Sequence, residues 1–429
     1  MLSAILRRLG ALPLACTSWL VLAGISHADA ASLSAIAQAS VPPSPSPALA
    51  VYQPTRYTPA ILRINFSNGL PPGSAGASAR PASFLDVTLL PLEGPPIGKR
   101  VPITTAEFAT LLRNLYSSLS RQEELDVANP TSPARVLHSL LIGPIAADLE
   151  RLGVTTLMIT ADQGLQAVPL AALHDGRQFF GERYAFSLTP AVGLTSLQIP
   201  ANPGDGQQLG AGASRFVGLA PLPLVPQELQ RVSSDRSRTF LDGSFTPSVL
   251  TDRVADSNVN QVHVATHAEF LPGGPSQAKL FTGTEPFSLT GFASLRQRRN
   301  GQLLDLISLS ACRTALGDKD SELGFAGLAL QAGSRSAIGT LWYVDDVATS
   351  AFFVQFYRLL RQGLPKAEAL QATRQAMASG AIRLQGDQVV GPDGATLIER
   401  LSPLQQRRVQ RGLQNPFFWA GITLLGTPW

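Results

Sequence analysis

Short apolar segments that alternate with helix-like segments fill residues 216–378 and constrain the fold more than any other feature. Apolar, strand-length runs are centred near residues 216, 240, 262, 306 and 338, with helix-like stretches between them. Strands that alternate with helices form parallel sheets, and such sheets are covered by helices on both faces. The sequence therefore predicts an α/β fold with a mostly parallel sheet flanked by helices.

Residues 61–204 are predicted to form an α/β lobe that precedes this sheet. Alternating apolar positions in "ILRINFS" and "ASFLDVTLLPL" favour a β-hairpin or meander, and "TTAEFATLLRNLYSSL" has helical spacing behind a threonine cap. A second helix over "SPARVLHSLLIGPIAADLERL" leads into a strand over "VTTLMIT". The glycine-rich stretch 201–214 interrupts the pattern, so we expect the second lobe to span 212–429.

The first 60 residues are predicted to lie outside both lobes. Two arginines precede an apolar stretch up to Ile25, and the small-residue sequence "ADA" (28–30) follows, which is the layout of a secretory signal peptide over 1–30. An uncleaved anchor is the alternative, but Pro13 interrupts a stretch shorter than the ~20 residues of a spanning helix. Residues 31–60 are rich in proline and serine and predict an extended linker. We expect a secreted or periplasmic protein with no membrane span after cleavage.

Charge and short motifs argue against several classes of function. The net charge is +4 and only 15% of residues are charged, which is too mild and dispersed for a nucleic-acid partner. The arginines clustered at 296–299 and 407–411 are interpreted as solvated faces. No G-x-S-x-G motif occurs, and "GPPIGKR" (94–100) has glycines too closely spaced for a phosphate loop. Serine hydrolase and P-loop chemistry are therefore not indicated.

Cys312 and His267 each come just after the carboxyl end of a predicted strand, Cys312 after "LLDLISLS" and His267 after "VNQVHVAT". The carboxyl ends of parallel strands share one edge, so we expect the two side chains to meet if their strands are neighbours. A histidine that takes the thiol proton creates a nucleophile, and the backbone N–H groups of Ala268 and Cys312 can form an oxyanion hole. Cys16 lies in the predicted signal peptide, which leaves Cys312 as the only thiol. A lone cysteine behind a strand also fits core packing.

Several motifs in a fixed order carry a resemblance to a known family. They are "VHVATHA", "LISLSACRTALG", "SELGFAGLALQAGSRSAIGTLWYVDDVAT", "FFVQFYRLLRQG" and "NPFFWAGITLLGT". Over about residues 135–429 the chain resembles the CHAT-domain family of caspase-like cysteine peptidases, relatives of separase and the gingipains.

The resemblance implies a caspase-like α/β fold with a non-catalytic lobe before the catalytic one, and no metal or organic cofactor. His267 in "ATHA" matches the family's general base, and Cys312 in "SAC" matches its nucleophile. Ala268 departs from the glycine that usually follows the histidine, and alanine resists a positive φ, which puts the alignment of the oxyanion hole in question. The expected partner is a polypeptide substrate or a regulatory protein.

Asp345 and Asp346 have two interpretations. They follow the strand "GTLWYV", where carboxylates beside the nucleophile favour arginine or lysine before the cleaved bond. The same residues fit the N-cap of the next helix. His263 is interpreted as a core histidine. A metal site joining His263 and His267 is rejected, because residues four apart on a strand stand ~13 Å apart.

Two functions follow from this sequence. The first is a cysteine endopeptidase in which His267 and Cys312 hydrolyse peptide bonds, with arginine or lysine preceding the cleaved bond. The second is a catalytically silent binding or scaffold protein that keeps the same fold.

Overall fold

The structure is a computed structural model, which describes residues 58–69, 82–162, 164–189, 206–233, 238–270, 278–292, 294–311, 324–343 and 345–429. Within these residues eleven strands form one sheet in the order β3-β2-β1-β4-β5-β17-β13-β12-β8-β6-β7. Neighbouring strands are parallel except in the pairs β3–β2, β2–β1 and β13–β17. The predicted fold class, a mostly parallel sheet flanked by helices, is confirmed.

The strands of this sheet are β1 (Pro59–Gly69), β2 (Ala82–Pro91), β3 (Ile97–Pro102), β4 (Thr156–Ala161), β5 (Ala185–Thr189), β6 (Gln207–Gly212), β7 (Arg238–Leu241), β8 (Val259–Ala265), β12 (Leu304–Ser310), β13 (Ser334–Thr340) and β17 (Ile422–Gly426). Two three-stranded sheets accompany it, formed by β9 (Ala268–Phe270), β10 (Ala278–Phe281) and β11 (Pro286–Ser288), and by β14 (Arg383–Gln385), β15 (Gln388–Val390) and β16 (Thr396–Ile398).

The described α-helices are α1 (Thr105–Ser120), α2 (Pro133–Leu141), α3 (Ala146–Arg151), α4 (Phe180–Arg183), α5 (Val225–Val232), α6 (Leu295–Arg298), α7 (Gly324–Gln331), α8 (Asp346–Arg361), α9 (Lys366–Ala378) and α10 (Pro403–Val409). Helix α1 begins with the predicted threonine cap. Glu107 N–H donates to Thr104 Oγ1 (3.1 Å) and Thr104 N–H donates to Glu107 Oε2 (2.9 Å), which satisfies two N–H groups at the helix start.

Strand β12 shows why the centre of the sheet is stable. Every side chain from Leu304 to Leu309 is buried, so both faces of the strand are covered. Helices α5 and α8 pack against each other beside β6, β8 and β12, while α7 packs against β13 and β17. Burial on both faces is the reason that the sequence reads as a nearly continuous apolar run rather than as an alternation.

The predicted break at 201–214 contains a strand of the central sheet. Strand β6 pairs in parallel with β8 and β7. Gly212 reflects close packing, because a Cβ there would lie 2.6 Å from Val225 Cγ1 and 2.7 Å from the Ala265 carbonyl oxygen. The strand predicted near residue 216 is wrong: residues 213–224 form a loop, which leaves the sheet where β6 ends.

The two predicted lobes share one sheet. Strand β5 of the first pairs with β17 of the second, with Leu188 opposite Leu425. The lobe bounds 61–204 and 212–429 stay a prediction. The helix predicted over 132–152 is interrupted, because a turn of 3₁₀ helix over Gly143–Ile145 separates α2 from α3, where Pro144 has no N–H to donate.

The signal peptide predicted over 1–30, Cys16 and the linker up to residue 57 lie outside the described residues, whereas Pro59 and Ala60 already belong to β1. Among the helices that the structure describes, none combines the length and the apolar character needed to cross a membrane.

Candidate active site

The carboxyl ends of strands β8 and β12 place His267 beside the segment that leads to Cys312. The two strands are parallel neighbours, and Ala265 lies opposite Ser310. Thr266 N–H donates to the Ser310 carbonyl oxygen (3.3 Å), which extends this pairing one residue beyond β8. The prediction that the two side chains meet requires β8 and β12 to be neighbours, and they are. Cys312 itself lies outside the described residues.

His267 is held by a backbone carbonyl and an aromatic ring. Its Nε2 lies 2.8 Å from the carbonyl oxygen of Ala220. Its ring centroid is 4.7 Å from that of Phe216. A carbonyl oxygen only accepts hydrogen bonds, so Nε2 carries the proton and, in the neutral ring, Nδ1 is an acceptor. No hydrogen bond joins Nδ1 to any residue that the structure describes. This is the tautomer that a general base at Nδ1 requires.

The main chain of His267 is anchored on its other side by the small sheet. Phe281 N–H donates to the His267 carbonyl oxygen (3.0 Å), and the Thr266 hydroxyl donates to the Phe281 carbonyl oxygen. These bonds tie β10 to the end of β8. The imidazole and its backbone therefore have separate supports, the first from the loop after β6 and the second from β10.

Ala268 begins strand β9 in an extended conformation, without a positive φ. It lies opposite Leu280, next to the bonded pair of His267 and Phe281. Antiparallel pairs alternate between bonded and non-bonded positions, so the Ala268 N–H faces away from β10. Strand β9 is an edge strand, and alanine adopts this conformation without strain. The oxyanion role of Ala268 and Cys312 stays a prediction.

Asp345 and Asp346 lie at the start of helix α8. Asp345 is the N-cap: its Oδ1 accepts from Val347 N–H (2.9 Å) and Ala348 N–H (3.2 Å). Its Oδ2 lies 3.2 Å from Nε of Arg408, whose Nη2 bonds Asp346. Burial raises the pKa of the Asp345 carboxyl above its usual value, and the charge of Arg408 opposes that shift.

The capping interpretation of Asp345 is therefore visible in the geometry, whereas its role in a substrate pocket stays a prediction. In this structure Arg408, from helix α10, contacts both carboxylates. A basic substrate side chain would have to share these carboxylates with Arg408 or displace it.

His263 lies in the core, as predicted. Its Nε2 is 2.9 Å from Glu228 Oε1, and Glu228 Oε2 accepts from the Ser350 hydroxyl (2.6 Å). Its ring packs edge-on against Phe353 and Tyr357. The described residues contain no group of three or more His, Cys, Asp or Glu side chains arranged to hold a metal ion.

Two features of the site escaped the sequence analysis, namely the Ala220 carbonyl and Phe216. A backbone acceptor leaves no mark in a sequence, because every residue has one. The apolar residues of "RFVGLA" predict a strand at Phe216. That prediction hides the loop in which the ring of Phe216 contacts His267.

The sequence matches a known family model but no individual curated protein. The model of the CHAT domain family matches residues 131–427. No curated protein matches the sequence.

Solved structures with a similar course of the chain include an arginine-specific cysteine proteinase, gingipain R (RgpB), with 10% identity, a TM-score of 0.40 and coverage of 67% of this chain and 68% of that one. A complex of the pro- and mature domains of RgpB from Porphyromonas gingivalis matches with 10% identity, a TM-score of 0.37 and coverage of 73% and 75%. The Saccharomyces cerevisiae separase–securin complex matches with 10% identity, a TM-score of 0.47 and coverage of 89% and 31%, so this chain spans about a third of that one. The family model covers more than half of the chain, and the chain therefore belongs to the CHAT domain family.

Proposed function

We propose that the protein is a cysteine endopeptidase in which Cys312 attacks the peptide carbonyl and His267 moves the proton. The observation that carries the proposal is the pairing of β8 with β12. His267 is two residues beyond Ala265, Cys312 is two residues beyond Ser310, and Ala265 and Ser310 lie opposite each other on adjacent strands.

Chain geometry limits how far Cys312 can lie from His267. Consecutive Cα atoms are about 3.8 Å apart, and neighbouring strands are about 4.8 Å apart. Ala311 is tied to the sheet, since its carbonyl oxygen accepts from the Thr340 hydroxyl (2.7 Å). Ala311, which directly precedes Cys312 in the chain, is therefore anchored at the end of β12, the strand next to β8.

The chemistry requires one base, one nucleophile and donors for an oxyanion. Nδ1 of His267 takes the thiol proton, and the Cys312 thiolate adds to the carbonyl carbon. Backbone N–H groups of Ala268 and Cys312 stabilise the negative oxygen. His267 then gives the proton to the leaving amine as the C–N bond breaks, which leaves a thioester. Water, deprotonated by His267, hydrolyses the thioester and restores the thiol.

Cleavage after arginine or lysine is the second part of the proposal, with Asp345 and Asp346 as the carboxylates that receive the basic side chain. Their location at the start of α8, which follows the strand next to β12, supports it. Arg408 occupies these carboxylates in the present structure and is the group that a substrate would replace. Secretion directed by residues 1–30 is proposed from the sequence alone.

The test is cleavage of a peptide library by the purified protein, followed by mass spectrometry of the products. Cys312→Ala should abolish cleavage and His267→Gln should reduce it strongly, both without changing the melting temperature, and Ser310→Ala is a matched control beside the site. Products should end in arginine or lysine. Cleavage retained by Cys312→Ala contradicts the proposal, and a folded wild type that cleaves nothing favours the silent scaffold.

A further inference from the structure

The loop that holds the imidazole of His267 is closed at its base. We call residues 214–222 the base-holding loop. Leu222 N–H donates to the Ser214 carbonyl oxygen (2.9 Å) and joins the two ends of the loop. Ala220, whose carbonyl contacts His267, lies between them. The position of that carbonyl therefore depends on what fixes Ser214.

The carboxylate of Asp242 fixes Ser214 by accepting from both its N–H and its hydroxyl. Ser214 N–H donates to Oδ1 (2.6 Å), and the Ser214 hydroxyl lies 3.0 Å from Oδ1 and 3.0 Å from Oδ2. Ser214 is buried and Asp242 is half-buried, so these bonds are partly shielded from water. A carboxylate that accepts from a buried N–H and a hydroxyl together makes a stronger anchor than a neutral acceptor would.

The backbone of Asp242 is specialised for this position. It follows strand β7 and has a φ of 49°, in the left-handed region that few residues other than glycine adopt. Aspartate is among the residues that tolerate this region, and such conformations persist where the surroundings determine them. The turn therefore places a carboxylate where a glycine would satisfy the backbone alone.

The same turn also contacts the second support of His267. A Cβ at Gly283 would lie 1.7 Å from the Asp242 carbonyl oxygen, so only glycine fits there. Gly283 N–H donates to the Phe245 carbonyl oxygen (2.8 Å), two residues after Phe281 binds the His267 carbonyl. The support of the imidazole and the support of the His267 main chain thus converge at Asp242.

We propose that Asp242 is a positioning residue for His267: through Ser214 it fixes the base-holding loop, so that the Ala220 carbonyl keeps the imidazole in the tautomer with Nε2 protonated and Nδ1 as acceptor. The role in peptide hydrolysis rests on the proposed function. The effect on the imidazole does not, because it is a property of the folded protein alone.

The test measures the tautomer of His267 directly. The chain has five histidines, so the ¹⁵N signals of His267 in histidine-labelled protein are assigned by their loss in His267→Gln. In the wild type the neutral ring should carry its proton on Nε2. Asp242→Gly keeps the left-handed turn but removes the carboxylate, and it should give a mixture of the two tautomers.

Two further variants separate positioning from folding. Asp242→Asn tolerates the same turn and keeps one acceptor oxygen, so it should retain most of the Nε2–H tautomer. Asp252→Asn, at an exposed carboxylate paired with Arg298, is the matched control and should change nothing. Alkylation of Cys312 should slow by about 10–100-fold in Asp242→Gly, the loss that follows removal of the outer hydrogen-bond partner of a metal-ligating histidine, and less in Asp242→Asn.

The outcomes distinguish this inference from the proposed function. A folded Asp242→Gly protein with the wild-type tautomer and alkylation rate overturns the inference, whether or not the wild type cleaves peptides. A change of tautomer in Asp242→Gly, with a wild type that cleaves nothing, supports the positioning role and contradicts the peptidase. A similar loss in Asp242→Asn and Asp242→Gly would mean that the full carboxylate is required, and equal loss in Asp252→Asn overturns the inference.

Discussion

Two histidines of one strand segment, His263 and His267, have opposite surroundings. His263 has a fully buried side chain and shares a hydrogen bond with Glu228, which is also bound by Ser350. His267, two residues past the end of β8, is partly exposed and is held by the Ala220 carbonyl and the ring of Phe216. The residue type is the same, and the position relative to the strand end decides whether the ring is buried or accessible.

The rings of His263 and His267 have hydrogen-bond partners of different kinds. The Glu228–His263 pair joins α5 to β8, and Ser350 brings in α8, so this pair ties together three elements of the core. A carboxylate partner inside the core is costly to leave unpaired. The Ala220 carbonyl is neutral and lies on a loop. It orients the ring of His267 through Nε2 and leaves Nδ1 available as an acceptor.

The largest effect is expected from His267→Gln, which should reduce peptide cleavage by about 10²–10⁴-fold, the usual contribution of a general base. Unfolding by urea should be unchanged, because a partly exposed ring on a loop contributes little to the core. Cleavage rates and urea midpoints measured on the same preparation check both halves. A variant that loses stability instead of activity would break the contrast with His263.

His263→Leu should act in the reverse sense. It leaves the buried Glu228 with the Ser350 hydroxyl alone, and we expect a loss of about 3–5 kcal/mol in the free energy of unfolding, as when one partner of a buried pair is removed. The double variant Glu228→Leu/His263→Leu should recover part of this loss. The folded fraction of His263→Leu should still label at Cys312. A loss of under about 1 kcal/mol in the free energy of unfolding, as for an exposed ion pair, would place His263 outside the core network.

Asp345→Asn should have a smaller, pH-dependent effect. Asparagine caps helices about as well as aspartate, so α8 keeps its N-cap. Burial raises the pKa of the Asp345 carboxyl in the folded protein above its usual 3.8. The folded state therefore retains a proton that the unfolded state has lost, and wild-type stability falls as the pH rises from 3.8 through the raised value. The stability of Asp345→Asn relative to wild type should increase over that window.

Urea unfolding of both proteins at a series of acid pH values measures this difference. The matched variant Asp346→Asn, whose carboxylate is more exposed, controls for the loss of charge beside Arg408. A difference between Asp345→Asn and wild type that does not vary with pH would show that the cap, rather than its ionisation, sets the stability of this helix end.

The sequence predicted the elements with strong local patterns. Strand β12 is predicted because most of its residues are apolar, β8 because valine recurs along it, and α1 because apolar residues at helical spacing follow a threonine cap. The role of His263 followed from its place within β8. These features depend on residues near each other in the chain, where periodicity is informative.

The features that the sequence does not predict depend on packing between residues far apart in the chain. Strand β6 is not predicted, because its Gly212 suggests a break in the sequence but makes room for α5 and for Ala265 in the folded structure. The role of Asp242 depends on a residue 28 positions away, Ser214, and on the left-handed turn after β7. The Ala220 carbonyl has no sequence signal at all. Cys312 was identified by its motif, and its geometry lies outside the described residues.

The pH dependence of alkylation shows whether His267 activates the thiol of Cys312. The rate of iodoacetamide addition to Cys312, followed by peptide mass spectrometry, is measured from pH 4 to 10 for the wild type and for His267→Gln. A free thiol ionises near pH ~8.5, and a thiol paired with a histidine ionises well below this value. We expect an inflection far below pH ~8.5 in the wild type and an inflection near that of a free thiol in the variant. The same profile in both proteins would contradict it.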